Sequence, residues 1–496
     1  MKFQSTRDLS AAKYSAAQVI KQGLAADGGL FVPESIPALT EADIKALCKM
    51  DYPARAATVL GKFLTDYTAD ELLADCKAAY APESFVGGAA PLHKLNDHAH
   101  VMELWHGPTA AFKDMALQIM PRLLSRALVK TGEERTALIL VATSGDTGKA
   151  ALEGYKDIDR IKMMVFYPVD GVSTVQKLQM QTQTGNNVNV TAIKGNFDDA
   201  QTGVKRIFSD KAVSEQLNAK GYFLSSANSI NWGRLAPQIV YYVSAYCDLL
   251  TAGEIKYGDK INVTVPTGNF GNIFAAYLAK LMGLPIGKLI CASNKNNILT
   301  DFLQTGTYDR NRQFHLTMSP SMDILISSNL ERLLYFAAGP EQTKAYMQSL
   351  NKTGAYTVNN AVKEKIDADF CGYYADEVQT AQTIRKYQEN GYLMDTHTAV
   401  AVYCAEQYLQ SSKDDNVPLV IASTASPYKF AADVYTSLGQ DAPEDPLQSQ
   451  HALSEYTGTQ IPYPLVGLGE RTVRFDKTVH ANELLQEVLR FADTQR

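Results

Sequence analysis

Three observations predict an α/β protein built on parallel sheets. From about residue 90 onward, strand-like apolar runs alternate with helix-like segments, the grammar of parallel sheets with helices on both faces. Two glycine-rich loops, residues 143–148 (TSGDTG) and 266–272 (PTGNFGN), fall where a strand ends and a helix begins. Such strand ends are where these sheets bind ligands. The length of 496 residues exceeds a single core and suits two or three domains.

Taken in order, residues 1–90 read as a mostly helical N-terminal region, with helices at 41–50, 53–63 and 69–79. A turn at Asp27-Gly28-Gly29 precedes a short strand closed by Pro33. No chemistry is visible there, so a structural or lid-forming role is expected. Residues 91–426 form the α/β region. Its strands are expected at 137–143, 163–167, 188–193, 223–225, 261–265, 289–292 and 417–422. Helices are expected to start at Lys149, near Ser173, at Phe197 and at Ile273. Residues 300–390 are tyrosine-rich and helical, and are expected as an insertion that interrupts the alternation. Residues 427–496, with Pro-rich stretches, read as a C-terminal extension wrapping the body.

Composition narrows the function. The net charge of -6 argues against nucleic acid or an anionic membrane as partner. No run of about 18 apolar residues predicts a membrane span, and the first residues, MKFQSTRDLSAAKYS, lack the apolar core of a secretion signal. Six scattered cysteines without a Cys-x-x-Cys pair read as free thiols in a reducing cytoplasm. The eight histidines show no zinc-like spacing, so no metal is expected.

The chemistry centres on residues 106–114, HGPTAAFKD. Lys113 follows a Gly-Pro-Thr turn and an apolar lead-in, and opens a helix. An ammonium held there loses solvation, its pKa falls, and a nucleophilic amine becomes accessible for a Schiff base. A surface lysine capping a helix is the other reading. In TSGDTG, the backbone around Ser144, Asp146 and Thr147 offers N–H groups to a carboxylate or phosphate, or simply caps a helix. In PTGNFGN, Gly268 and Gly271 let the backbone of Gly268 to Asn272 curl around a phosphate. That loop lacks the Gly-Lys-Ser/Thr of a nucleotide loop, so a phosphate monoester suits it better, unless it is a plain turn. Together, an amine, an anion loop and a phosphate cup describe a site for pyridoxal 5′-phosphate and an amino acid. Ser423 and Thr424, at the end of the last strong strand, offer a hydroxyl to the pyridine nitrogen.

These residues reach a known family. ELWHGPTAAFKD, TSGDTG, PTGNFGN and STASPYKF, with ADGGLFVP near the start, closely resemble the longer, bacterial and fungal-like branch of the threonine synthase family. Residues 172–201, 228–242, 319–334 and 395–401 also resemble that branch. The resemblance implies the fold type II pyridoxal-phosphate architecture (tryptophan synthase β-like): two α/β domains with the cofactor between them, preceded by the family's N-terminal domain. It also implies O-phospho-L-homoserine as substrate, and L-threonine and phosphate as products. It puts the Schiff base on Lys113, the cofactor phosphate on Gly268, Asn269, Phe270 and Asn272, and the ring nitrogen at Thr424. Trp105, Ala110, Asp170 and the segment Ser426-Pro427-Tyr428 depart from the family pattern and bear only on pocket shape.

A substrate phosphate needs cations around it. Arg234, flanked by Asn228, Ser229 and Asn231, is the first candidate and Lys149 the second; an ordinary surface arginine is the alternative for Arg234. Two other functions stay open. One is another fold type II lyase or dehydratase, and the other a non-catalytic binder of phosphorylated ligands. A monomer or homodimer is expected.

Overall fold

A computed structural model describes residues 1–10, 12–143, 145–170, 172–412 and 416–494. In chain order its strands are β1 (Phe3–Ser5), β2 (Phe31–Pro33), β3 (Leu92–Lys94), β4 (Ala99–Glu103), β5 (Thr136–Ala142), β6 (Ile161–Pro168), β7 (Val188–Lys194) and β8 (Tyr222–Ser225). There follow β9 (Ile261–Pro266), β10 (Ile286–Ser293), β11 (Thr307–Asp309), β12 (Ala355–Thr357), β13 (Phe370–Tyr374), β14 (Leu419–Ser423) and β15 (Thr478–His480). Two sheets carry the body. One has the order β13-β10-β9-β14-β4-β3, and the other β15-β7-β6-β5-β8. Every pairing within them is parallel except β3 with β4. The chain enters the first sheet at β3 and β4, builds most of the second, returns to the first for β9, β10, β13 and β14, and closes the second with β15; β11 and β12 pair with each other apart from both.

The strands read as apolar runs because helices cover both faces. All eight residues of β6 are buried, as are all six of β9. The N-terminal helices Glu41–Leu47 and Ala69–Ala79 start at Thr40 and Thr68, each with a reciprocal capping box. A box satisfies two helix-end donors at once, which sets the start of each helix.

Two expectations change. β4 (AHVME) had no signature in the apolar pattern, yet it lies inside the first sheet, between β14 and the edge strand β3, and leads into the Lys113 turn. The stretch 300–390 continues the alternation rather than only interrupting it. Its β13 pairs in parallel with β10 and forms the sheet edge. A five-residue strand, FCGYY, between two polar helices is too short for its pattern to stand out.

The helix Trp232–Thr251 runs through the centre, with nearly all of its residues buried. The N-terminal region clamps it. Trp232 packs against Phe3 and Phe63, with ring centroids 5.2 and 5.5 Å away. Arg55 donates to Asp248 at 2.6 Å and to the Ser244 hydroxyl at 2.7 Å. The residues once read as devoid of chemistry therefore fix the helix that carries Arg234.

The helix Asp146–Tyr155 packs against the turn after Lys113 through Gly154. A Cβ there would lie 1.8 Å from the carbonyl oxygen of Leu117. Gly154→Ala therefore forces the helix off that turn. We expect a loss of about 3 kcal/mol, the upper range for overpacking, seen as a lowered thermal unfolding midpoint; an unchanged midpoint contradicts this packing.

Among the described residues no helix is long and apolar enough to cross a membrane.

Candidate active site

Four loops meet at the carboxyl ends of strands from both sheets: those after β4, β5, β9 and β14. The first carries Lys113. Its turn is held by Asp114, buried, whose carboxylate accepts from the Thr109 backbone N–H at 2.8 Å and the Thr109 hydroxyl at 2.7 Å. Burial raises the Asp114 carboxyl to about 6 despite those bonds. Ala110 sits at φ 57°, a left-handed conformation that costs a non-glycine residue roughly 1–2 kcal/mol. Two bonds to the β14 end hold it there: Phe112 N–H donates to the Thr424 carbonyl at 2.8 Å, and Ser426 N–H to the Ala110 carbonyl at 3.1 Å. Thr424 is thus brought beside the Lys113 turn, while the Ser423 hydroxyl accepts from Trp105 Nε1 at 3.0 Å and contacts Thr398.

Lys113 begins the short helix Asp114–Leu117, as its lead-in predicts. Its side chain is 14% exposed, so the surface-cap reading fails. Burial, and after it the cations Lys429 and Arg234, hold its amine below the ordinary lysine range, against the raising pull of Asp146.

The loop after β5 also carries a charge pairing that its sequence does not show. Gly145 and Gly148 donate their N–H groups back to Thr143 Oγ1, both at 3.0 Å. The Asp146 carboxylate is the counter-ion of the site. It lies 2.7 Å from Lys429 Nζ and 3.5 Å from Lys113 Nζ, and accepts from Gln176 Nε2 at 2.9 Å. Burial works to raise its pKa, but the two lysines win and bring it well below the usual carboxylate range. Thr147 sits half-buried on the first helical turn. Ser144 lies outside the described residues.

In the loop after β9, Phe270 adopts φ 64° and precedes the helix Gly271–Leu281. Asn272 Oδ1 accepts from Tyr241 and Tyr242 hydroxyls, both at 2.6 Å, which fixes its amide. Its Nδ2 is buried and has no partner among the described residues. An unpartnered donor beside a helix N-terminus, inside a glycine turn, fits a phosphate ester. The Ser319–Asn329 segment braces the loop from behind. Ser327 donates to the Gly268 carbonyl at 2.7 Å, and the backbone N–H and side chain of Asn329 both reach the Asn269 carbonyl at 3.0 Å. Ser321 N–H in turn donates to His397 Nε2 at 3.1 Å, and His397 is anchored by Asp395 at 2.7 Å.

This brace also decides what a side chain at Gly268 would meet. A Cβ there would meet the Ser321 carbonyl at 2.7 Å, protein backbone rather than ligand space, whereas one on Gly271 would sit 3.4 Å from Asn329. Gly268→Ala is therefore expected to lower thermal stability by about 1–3 kcal/mol and cofactor affinity together. Gly271→Ala should leave the unfolding midpoint nearly unchanged. Equal midpoints for both variants, in a thermal melt beside a cofactor titration, would refute the brace.

Arg234, on the first turns of Trp232–Thr251, is only 3% exposed. Nη1 donates to the Ala227 carbonyl at 2.6 Å, while Nε is buried without a partner among the described residues. Burial lowers the guanidinium to about 10. Arg234 and Tyr241 are seven residues apart, hence on one face and roughly 10 Å apart along the axis. The helix thus serves two places, the Asn272 cup and Arg234.

Two expected ligands are otherwise engaged. Lys149 is bonded to Glu153 at 2.9 Å and Gln183 at 2.5 Å, so its ammonium already has an anion. Asn231 caps Trp232–Thr251: its side chain accepts from Gly233 N–H at 2.8 Å and donates to the Ile20 carbonyl at 3.0 Å, fully buried. Asn228 is exposed and Ser229 half-buried on the same loop.

Three residues escaped the sequence reading. Lys429 is fully buried against Asp146 and the Thr109 carbonyl, 3.1 Å away. Arg332 donates to the Phe31 carbonyl at 3.0 Å, the Ile230 carbonyl at 2.6 Å and Asn329, tying the N-terminal region to both ligand loops. His397 anchors the brace. Lys429 and His397 lie in strings that matched the family, STASPYKF and DTHTAVA, and that was their only signal.

Comparison with known proteins matches three family models: "Threonine synthase N terminus" over residues 2–80, "Pyridoxal-phosphate dependent enzyme" over 84–423, and "Threonine synthase, C-terminal" over 398–488. The threonine synthase-like 1 protein of Pongo abelii is 42% identical across 86% of this chain, which spans 58% of that relative's length. The threonine synthase of Pseudomonas aeruginosa is 39% identical, covering 87% of this chain and 89% of the relative. A PLP-bound threonine synthase structure from Brucella melitensis superposes with a TM-score of 0.88, at 36% identity over 100% of both chains.

Proposed function

We propose that this chain, which belongs to the threonine synthase family of pyridoxal-phosphate-dependent enzymes, converts O-phospho-L-homoserine and water into L-threonine and phosphate. It does so in the cytoplasm, as a monomer or homodimer. The observation that carries the reading is the second anion place. Arg234 keeps an unpaired, buried Nε within electrostatic reach of Lys113, two helical turns from the tyrosines that hold Asn272. A lyase acting on unphosphorylated serine has no use for it.

Gly268, Asn269, Phe270, Gly271 and Asn272 would hold the cofactor phosphate, Lys113 would carry its aldehyde end, and Thr424 would lie at its ring nitrogen. When bound, pyridoxal phosphate supplies delocalisation of the negative charge that builds on substrate carbon. The rest falls to the chain's own groups. Lys113 Nζ takes the Cα proton and passes it to the phosphate ester, which departs from Cγ as hydrogen phosphate towards Arg234, with Asn228, Ser229 and Thr147 as further donors. Lys113, its amine free again, moves a Cβ proton to Cγ; water then gives its hydroxyl to Cβ and its proton to Lys113, which returns that proton to Cα. One amine, tethered beside three adjacent carbons, serves each transfer because its lowered pKa lets it both take and give a proton.

Incubating the holoenzyme with O-phospho-L-homoserine should release phosphate and threonine one to one, while serine gives little pyruvate. Phosphate without threonine, or preferred serine dehydration, overturns the assignment.

A further inference from the structure

Lys113 and Lys429 share one carboxylate. Asp146 Oδ1 lies 2.7 Å from Lys429 Nζ, and Oδ2 lies 3.5 Å from Lys113 Nζ. The shorter contact belongs to the lysine that is fully buried; the longer one belongs to the lysine that faces the site. Lys429 has a second anchor in the Thr109 carbonyl at 3.1 Å, in the very turn that presents Lys113. A single carboxylate neutralises a single ammonium. With Lys429 holding the closer oxygen, a proton on Lys113 would leave net positive charge in a buried site.

We propose that Lys429 is a positioning residue: by claiming Asp146 it denies Lys113 a full counter-ion and keeps the Lys113 amine ready to lose its proton. This rests on the reading of Lys113 as the cofactor lysine. The charged groups facing Lys113 are Asp146 on the helix Asp146–Tyr155, Lys429 on the turn Pro427–Phe430, and Arg234 on the helix Trp232–Thr251. Asp114 also faces Lys429, but its oxygens are engaged by Thr109. The signs follow from position. Removing Lys429 frees Asp146 to pair with Lys113 and removes a repelling cation, so the Lys113 amine binds its proton more tightly. Removing the Asp146 charge does the opposite. A mere loosening of the site would expose Lys113 to water and raise its proton affinity in both cases.

The test reads the proton affinity of Lys113 without turnover. Cofactor-free wild type, Lys429→Met, Lys429→Arg and Asp146→Asn are labelled with trace acetic anhydride across a pH series, and acetylation at Lys113 is quantified by peptide mass spectrometry. Covalent attachment of pyridoxal phosphate is followed in parallel by borohydride trapping. Lys429→Met is expected to shift the labelling midpoint upward by about one pH unit, a roughly tenfold loss of free amine at fixed pH. Asp146→Asn is expected to shift it downward, and Lys429→Arg to stay near wild type. An unmoved midpoint in Lys429→Met, or upward shifts in both Lys429→Met and Asp146→Asn, overturns the inference. Should Lys429→Met fail to fold, Asp146→Asn and Lys429→Arg decide alone. If trapping never places the cofactor on Lys113, the functional reading fails, while the labelling midpoints still judge the lysine pair.

Discussion

Lys113→Ala should abolish covalent attachment of pyridoxal phosphate and lower turnover by about a thousandfold or more, within the range for losing a positioned proton-transfer group. The expectation rests on position. Lys113 is the amine that opens the helix behind the Ala110 turn, and burial holds it below the ordinary lysine range. No neighbour replaces it: Lys429 is tied to Asp146 and the Thr109 carbonyl, and Lys149 to Glu153 and Gln183. The fold should survive, because truncating Lys113 leaves Asp146 its closer partner, Lys429. Borohydride trapping, visible absorbance and phosphate release measure the loss. A Lys113→Ala protein that still turns over and still traps the cofactor would remove Lys113 from the mechanism.

Arg234→Ala should keep the cofactor attached yet lose 2–4 kcal/mol in kcat/KM for O-phospho-L-homoserine, roughly 30- to 1000-fold. The substrate phosphate cannot share the Asn272 cup, since two dianions in contact would repel strongly in a low-dielectric cleft. Arg234 offers a planar fork, already desolvated and held at one end by the Ala227 carbonyl. Arg234→Lys should recover only part of the loss, because an ammonium cannot both reach Ala227 and fork a phosphate. Loss of cofactor absorbance in Arg234→Ala would mean that the residue supports the cofactor or the loop. An unchanged kcat/KM would place the phosphate elsewhere.

The legibility of the site divides along a physical line. The Lys113 turn, the TSGDTG loop and the PTGNFGN cup were visible because their signals are local: glycines, turn residues and an apolar lead-in within a few positions. The apolar runs of β5, β6 and β9 were visible because strands covered on both faces carry no alternation to confuse them. β4 and β13 were hidden because five residues of mixed character hold too little pattern, and only neighbouring strands make them sheet.

By itself the sequence determined the α/β class, and it marked the Lys113 turn and the glycine loop after β9 as site candidates, since each depends on residues that are close in the chain. Only the tertiary structure decided the charge partners. The partner of the Asp146 carboxylate appears only when Lys429, from the far end of the chain, is packed against it. Lys149 reads as a free cation until Glu153 and Gln183 claim it. Asn231 reads as a ligand donor until the Gly233 N–H and the Ile20 carbonyl use up its amide. Arg332 has no local signal at all, because its partners at Phe31, Ile230 and Asn329 come from three separate segments. A polar side chain's role is set by what neutralises it, and in a buried site that partner is chosen by the packing of distant segments rather than by spacing along the chain.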